Sequence, residues 1–297
     1  MVITYRDFKK TWTEKLNAAG IENADFEISE LLGYALNSDC RSSEFADLQE
    51  KQAEQRVTES FEELCERRLS GEPLQYILGE WEFYGLPFKV GRGVLIPRQD
   101  TETLVDVALK ILDGRQNLTV VDLCSGSGCL GIALEKNLNC KQILCIEKSQ
   151  DAAKYLSENI ALNSSKARLL QGDIFDEKII QAAPMADLII CNPPYVTAEE
   201  MENLQREVTF EPREALFGGE DGLDYYRKVT RLWKNKLNEN GALLFEIGQG
   251  QEDEVMQIMI QLGFGNVRTR PDLTGINRCV YGTIKSSTKK CTDVLKI

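Results

Sequence analysis

The feature of this 297-residue sequence that most limits its fold is an alternation beginning at Leu118. Leu118–Leu123 is a short apolar run, followed by a glycine-rich turn and a helical pattern over Leu130–Leu138. Gln142–Ile146, Ala167–Gln171, Ala186–Cys191 and Ala242–Ile247 read as further strands. Helical patterns cover Gln150–Leu162, Leu223–Leu237 and Glu252–Leu262. Strands alternating with helices predict an α/β fold, a parallel sheet covered on both faces. Two β-like segments, near Asn266–Thr269 and over Arg278–Ile284, lack a helix between them and predict an antiparallel hairpin at the edge. The tail over 286–297 is polar and lysine-rich, and it is expected to fray.

The chain ahead of this region has a different texture. Tyr5, Phe8, Trp12, Leu16 and Ala19 recur at helical spacing. Phe26, Leu31, Leu32, Ala35 and Leu36 make a second apolar face, and Val57, Phe61, Leu64, Cys65 and Leu69 a third. Residues 1–72 are therefore expected to form a small helical domain. Residues 73–95 read as a β-hairpin linker, because Leu74–Val90 is rich in aromatic and β-branched residues punctuated by Gly79, Gly85 and Pro87. The α/β domain then occupies 96–285, entered by a loop at Pro97–Asp100 and a helix starting near Thr101.

Composition narrows the chemistry. There is no histidine, which removes imidazole bases, histidine metal ligands and Ser-His-Asp triads. Nine cysteines show no C-x-x-C spacing, so reduced thiols in a cytoplasmic protein are expected, with no metal site. The 35 basic and 47 acidic residues give a net charge of −12. Such a balance disfavours a broad nucleic-acid surface, which needs clustered Lys and Arg. No apolar run is long enough to predict a membrane span.

Asp122-Leu123-Cys124-Ser125-Gly126-Ser127-Gly128 follows the first strand of the alternation. Its glycines permit a tight turn and close approach of backbone to a ligand, and such loops lie at the ligand end of open α/β sheets. Glu147 ends the next strand, about 20 residues on, where an acid can accept from both hydroxyls of a ribose. Asp173, after the third strand, is placed to meet an adenine amino group. The same glycines match a dinucleotide fingerprint, so the loop alone leaves NAD and S-adenosylmethionine both open. Asp122 favours the latter, since an acid there can face an ammonium group.

Asn192-Pro193-Pro194-Tyr195 follows the strand Ala186–Cys191. Adjacent prolines hold the backbone extended with carbonyls exposed. The Asn192 oxygen and the Pro193 carbonyl can then accept both hydrogens of one planar –NH₂, with the Tyr195 ring packed on the group that carries it. Such an amine is a poor nucleophile, and holding it in line with a sulfonium methyl is catalysis by orientation and electrostatics. The plainer alternative is a Pro-Pro turn with a capping Asn.

Further segments complete the pattern: Glu72–Gly79, Leu95-Ile96-Pro97-Arg98-Gln99-Asp100-Thr101-Glu102, Gln171–Phe175, Glu211-Pro212, Gly219–Leu223 and Phe245-Glu246-Ile247-Gly248. With these, nearly the whole chain resembles the HemK/PrmC family of protein-(glutamine-N5) methyltransferases, which modify peptide chain release factors. The resemblance implies a Rossmann-like, seven-stranded class I methyltransferase sheet over 96–285, using S-adenosylmethionine. It places the cofactor on Cys124, Ser125, Gly126, Ser127, Gly128, Glu147, Asp173, Ile174 and Asn192, and the acceptor glutamine of a Gly-Gly-Gln loop on Asn192, Pro193, Pro194 and Tyr195. Cys124 stands where members commonly have glycine, so its backbone is expected to avoid positive φ. Ile174 replaces an aromatic residue that packs on adenine in some members. A monomer is expected, with a helical domain that recognises the release factor. The acids Glu199, Glu200 and Glu202 could steer a cationic partner loop. Other readings are glutamine methylation of a ribosomal protein, DNA adenine methylation, which the acidic balance disfavours, and an NAD-dependent oxidoreductase or nucleotide-binding module, which would leave Asn192–Tyr195 idle.

Overall fold

A computed structural model describes residues 3–284, so the expectation for the tail over 286–297 lies outside the described residues. The chain forms two compact units. One runs to Trp81 and takes in Val90–Arg92 and Gln205–Phe210; the other comprises Glu82–Lys89, Gly93–Leu204 and the chain from Glu211 onward. Neither is one continuous stretch, whereas the sequence segmentation is contiguous.

In the first unit, Thr4 and Asp7 cap α1 (Tyr5–Ala18) reciprocally, each side chain accepting the other's amide. Tyr5, Trp12 and Leu16 pack with Ile28, Leu31 and Leu32 of α2 (Ala24–Leu36). Phe26 departs from the expected stripe and is 50% exposed. It stands two residues from Ile28, about 200° around a helix. The seven-residue α3 (Ser43–Gln49) is too short to show periodicity, and it is secured by the Ser42 hydroxyl accepting the Phe45 amide. On α4 (Gln55–Leu69), Phe61, Leu64 and Cys65 complete the core.

The expected linker is a hairpin only in its second half. Leu74–Leu78 is a short helix, α5, entered through Pro73 at φ −57° and left through Gly79 at φ +77°. Strands β1 (Glu80–Phe83) and β2 (Leu86–Lys89) follow. Tyr84 and Gly85 between them both have positive φ, which suits the twist of a two-residue hairpin.

The second unit holds a seven-stranded sheet. In chain order it comprises α6 (Glu102–Ile111), β3 (Leu118–Leu123), α7 (Cys129–Asn137), β4 (Cys140–Glu147), α8 (Gln150–Leu162), β5 (Arg168–Gln171), α9 (Glu177–Ala182), β6 (Ala186–Cys191), α10 (Arg213–Leu216), α11 (Asp224–Trp233), β7 (Leu237–Glu246), α12 (Glu252–Gln261), β8 (Phe264–Pro271) and β9 (Asn277–Ile284). The strand order is β5-β4-β3-β6-β7-β9-β8, with β9 antiparallel to both β7 and β8. The seven strands and the antiparallel edge are as expected. β7 starts earlier than its apolar run because Leu237 pairs with Ala186 before a bend through Asn240 at φ +60°. The helix before it therefore ends at Trp233.

Strand alternation sorts the core into two layers. Val120, Leu188 and Leu244 face one layer with Leu104, Val105 and Ile132. Val121, Ile189 and Leu243 face the other with Tyr226, Val229, Trp233 and Met259. Trp233 is fully buried and its indole N–H donates to the Ile174 carbonyl at 2.9 Å. Truncating such a side chain to Ala costs about 3–5 kcal/mol. The chain leaves β3 outward to β4 and β5, then returns to β6 on the other side. A ligand crevice forms at such a switch point, at the carboxyl ends of the strands.

Candidate active site

At that end lies a crevice lined by the loop after β3, the ends of β4 and β6, and residues 93–98. The loop turns through positive φ at Cys124 (56°), Gly126 (53°) and Gly128 (82°). The expectation that Cys124 avoids this region is therefore corrected. A side chain in the left-handed region costs about 1–2 kcal/mol. The flanking hydrogen bonds fix the turn nonetheless: the Ser125 amide donates to the Ile146 carbonyl at 3.1 Å and the Gly126 amide to Glu147 Oε2 at 2.8 Å. Gly128 is needed twice over, since an added Cβ would lie 2.1 Å from Leu156 Cδ1. Ser127 joins the crevice wall, its carbonyl accepting from Asn159 at 2.9 Å.

Glu147 accepts the Gly126 amide on one oxygen and the Ser149 amide, at 2.7 Å, on the other. Each oxygen keeps a second lone pair for a ligand. Asp173 accepts the Phe175 amide at 2.9 Å and pairs with Lys148 at 3.0 Å. Burial alone would raise its carboxyl, but that amide and that ammonium outweigh burial and hold it below its ordinary value. Ile174 and Tyr225 supply apolar wall, and the Tyr225 ring packs on Phe175 at 5.2 Å.

Asp122 does not join this wall. On β3 it pairs in register with Cys145 and Ile190, on the layer facing α7, and it is 1% exposed. Its Oδ2 accepts the Gly131 amide of α7 at 3.0 Å, and burial pushes its carboxyl up to about 7. The reading of Asp122 as a contact for a ligand ammonium is thus corrected to an anchor between strand and helix.

β6 delivers Asn192 and Pro194 to the crevice, while Pro193 and Tyr195 lie outside its lining. No hydrogen bond within the described residues occupies the Asn192 carboxamide. Gly218 backs the motif so closely that a Cβ would fall 2.7 Å from Tyr195 Cα and 2.8 Å from the Pro194 oxygen. The Tyr195 carbonyl accepts from Gln251 at 3.1 Å. Its hydroxyl donates to Glu246 Oε1 at 3.4 Å, and the Thr101 hydroxyl donates to Glu246 Oε2 at 2.6 Å. Glu246 is 3% exposed and does not line the crevice. Arg98, on the wall, pairs with Glu211, which also accepts the Ile96 amide at 3.0 Å. The pairings Thr101–Glu246 and Arg98–Glu211 were not read from the sequence, because each joins residues far apart in the chain, 145 and 113 positions respectively. Of the acidic run, Glu200 is occupied locally by the Thr197 amide and hydroxyl.

A parallel sheet reversing at β3 and β6, with a glycine loop, two crevice acids and Asn192-Pro193-Pro194-Tyr195 at that point, defines a Rossmann-like class I methyltransferase. The family model described as methyltransferase small domain matches residues 100–220, and that described as PrmC N-terminal domain matches residues 9–79. A release factor glutamine methyltransferase of Geobacter sulfurreducens is 38% identical over 275 residues, covering 92% of this chain and 94% of that one. One from Thermodesulfovibrio yellowstonii is 46% identical over 223 residues, covering 72% and 77%. The chain belongs to the release factor glutamine methyltransferase family. Among solved structures, a methyltransferase from Pyrococcus furiosus shares the fold, with a TM-score of 0.52 at 17% identity over 69% of this chain and 91% of that one.

Proposed function

We propose that this enzyme transfers a methyl group from S-adenosylmethionine to the side-chain amide nitrogen of the glutamine in the Gly-Gly-Gln motif of bacterial peptide chain release factors. The observation that carries the reading is the Asn192 carboxamide, facing the crevice without a protein partner, on the same crevice as Glu147 and Asp173. The residues present suit the cofactor. Glu147 offers outward lone pairs to a ribose, Asp173 an acceptor for an adenine amine, and Ile174 with Tyr225 apolar surface for its ring. Bound there, S-adenosylmethionine supplies a methyl carbon made electrophilic by a sulfonium.

The chain's own part is positioning. Asn192 and the Pro193 carbonyl accept the two amide hydrogens, which keeps the nitrogen in place and favours the charge developing on it. With the donor bound, the held amide nitrogen would take the methyl in place of one of its own hydrogens, which would leave as a proton to water while the donor would leave as a neutral thioether. No metal or imidazole takes part in this scheme. We read the enzyme as a cytoplasmic monomer whose helical unit recognises the release factor, a reading supported by the absence of C-x-x-C pairs and by the match of residues 9–79 to the PrmC N-terminal domain. The acidic balance supports a protein over a DNA substrate.

The test is mass spectrometry of a purified release factor after incubation with enzyme and S-adenosylmethionine. One added methyl mapped to the loop glutamine, absent in a Gln-to-Asn loop variant, is the expected result. Bound cofactor with no transfer would overturn the substrate assignment.

A further inference from the structure

Glu246 is a buried acid that the scheme above does not use. It ends β7, pairs in register with Cys279 of β9, and is 3% exposed. Its hydrogen-bond partners among the described residues are two hydroxyls from distant parts of the chain, Thr101 at 2.6 Å and Tyr195 at 3.4 Å. Thr101 lines the crevice, and Tyr195 ends the acceptor motif. The nearby guanidinium of Arg278 is committed elsewhere, to Asp100 at 3.3 Å and Asp272 at 3.1 Å.

A buried carboxylate with no cation in direct contact is a poor way to stabilise a core, because an apolar or amide side chain of that size avoids the desolvation cost. What it offers is acceptance from two hydroxyls at once. The Tyr195 ring is confined from its other side as well. A Cβ on Gly248 would lie 3.1 Å from Tyr195 Cδ2, and Gln251 holds the Tyr195 carbonyl while accepting the Tyr226 hydroxyl at 3.2 Å and the Gly248 amide at 3.0 Å. Gln251 thus fixes the main chain of Tyr195, and Glu246 fixes its hydroxyl.

We propose that Glu246 is a positioning residue for methyl transfer: its carboxylate, anchored on Thr101, holds the Tyr195 hydroxyl and thereby the ring against which the acceptor amide lies. The inference rests on the functional reading above. It also makes ionisation of Glu246 part of the positioning, since a carboxylate accepts from both hydroxyls whereas a carboxylic acid must itself donate to something. Burial pushes its carboxyl up to about 7, with Thr101, Arg278 and Tyr195 opposing and Asp100 adding to the rise. Tyr226, Cys129, Cys191 and Cys279 complete the titratable groups around it, and burial raises all four, keeping them neutral at that pH.

The test compares wild type, Glu246→Gln, Thr101→Val and Thr101→Ser. Glu246→Gln and Thr101→Val are expected to lower kcat by about 10- to 100-fold, with cofactor Kd unchanged in Glu246→Gln, which lies off the crevice wall, and kcat recovered in Thr101→Ser. Wild-type kcat should fall on acidification with a midpoint near pH 7, and this limb should vanish in Glu246→Gln. The ¹³Cζ resonance of Tyr195, assigned by its loss in Tyr195→Phe, should shift over the same range in wild type and stay still in Glu246→Gln. Unchanged kcat in Glu246→Gln, or a Tyr195 signal blind to its loss, would sink the proposal. If Glu246→Gln fails to fold, Thr101→Val carries the same tests. Wild type that leaves the release factor unmethylated defeats the functional reading alone, because the Tyr195 signal still reports on Glu246.

Discussion

The Gly126 amide donates to the Glu147 carboxylate at 2.8 Å, so the turn after β3 and the end of β4 are one assembly. Removing that carboxylate deprives the crevice of an acceptor and loosens the loop together. Glu147→Ala should weaken S-adenosylmethionine binding by about 10- to 100-fold, the value of a charged hydrogen bond. Calorimetry reads the change. At saturating cofactor, kcat should fall by no more than about threefold.

Asn192→Ala should show the opposite split. Its carboxamide is proposed to act on the acceptor amide, so kcat should fall by about 100- to 1,000-fold. Cofactor Kd should stay within about twofold. Comparable losses in both would remove its assigned role.

Cys124 pays for its side chain at φ +56°. Cys124→Gly relieves about 1–2 kcal/mol of left-handed strain and gives back about 0.5–1 kcal/mol in unfolded-chain entropy. The urea midpoint should therefore rise slightly. Cys124→Val, β-branched at the same φ, should lower it clearly. A lower midpoint in the glycine variant would show that contacts of the thiol outweigh the strain.

Gly131 lies where an added Cβ would be 2.5 Å from Cys145 Sγ and 3.1 Å from Asp122 Oδ2. Gly131→Ala should destabilise by about 1–3 kcal/mol despite the better helix propensity of alanine. In a Cys145→Ala background the penalty should shrink by more than half, as a double-mutant cycle from urea titrations will show.

Asp122 gives a pH dependence with a definite sign. Its folded carboxyl titrates at about 7, above the ordinary 3.8, because of burial. The stability linked to its protonation is fully present below about pH 4 and is lost as pH rises through 7. Asp122→Asn, neutral throughout and still able to accept the Gly131 amide, should exceed wild type by only a small margin at pH 5, where just part of that stability has been lost. At pH 8 it should melt roughly 5 °C higher. Equal melting differences at both pH values would show that Asp122 titrates as an exposed acid.

The contrast between Asp122 and Glu147 shows how far the sequence could be read. Both are acids at strand ends beside the same loop, and spacing singles out both. Glu147 faces the crevice because β4 ends with that parity, whereas Asp122 points at α7. Parity becomes visible only once the layers are known. The loop and Asn192–Tyr195 were legible because glycine and proline state backbone requirements directly. Cys124 was misread because nothing in a cysteine announces positive φ when two neighbouring hydrogen bonds impose it. Leu74–Leu78 and Ser43–Gln49 span too few residues for periodicity to register. The bond between Thr101 and Glu246, 145 residues apart, had no local trace.

Gln205–Phe210 belongs to the helical unit although it is encoded far downstream, between the acceptor motif and Glu211. Arg68, 4% exposed and bidentate on Glu27, also meets Glu207 at 3.1 Å, and Arg92 lies over the Phe210 ring at 5.6 Å. During synthesis, the amino-terminal helices therefore emerge long before their last piece. Arg68 waits for Glu207 until most of the central sheet has left the ribosome. Cutting the gene between the two family domains would not separate two finished objects: the downstream fragment would carry Glu207 without the Arg68 that receives it.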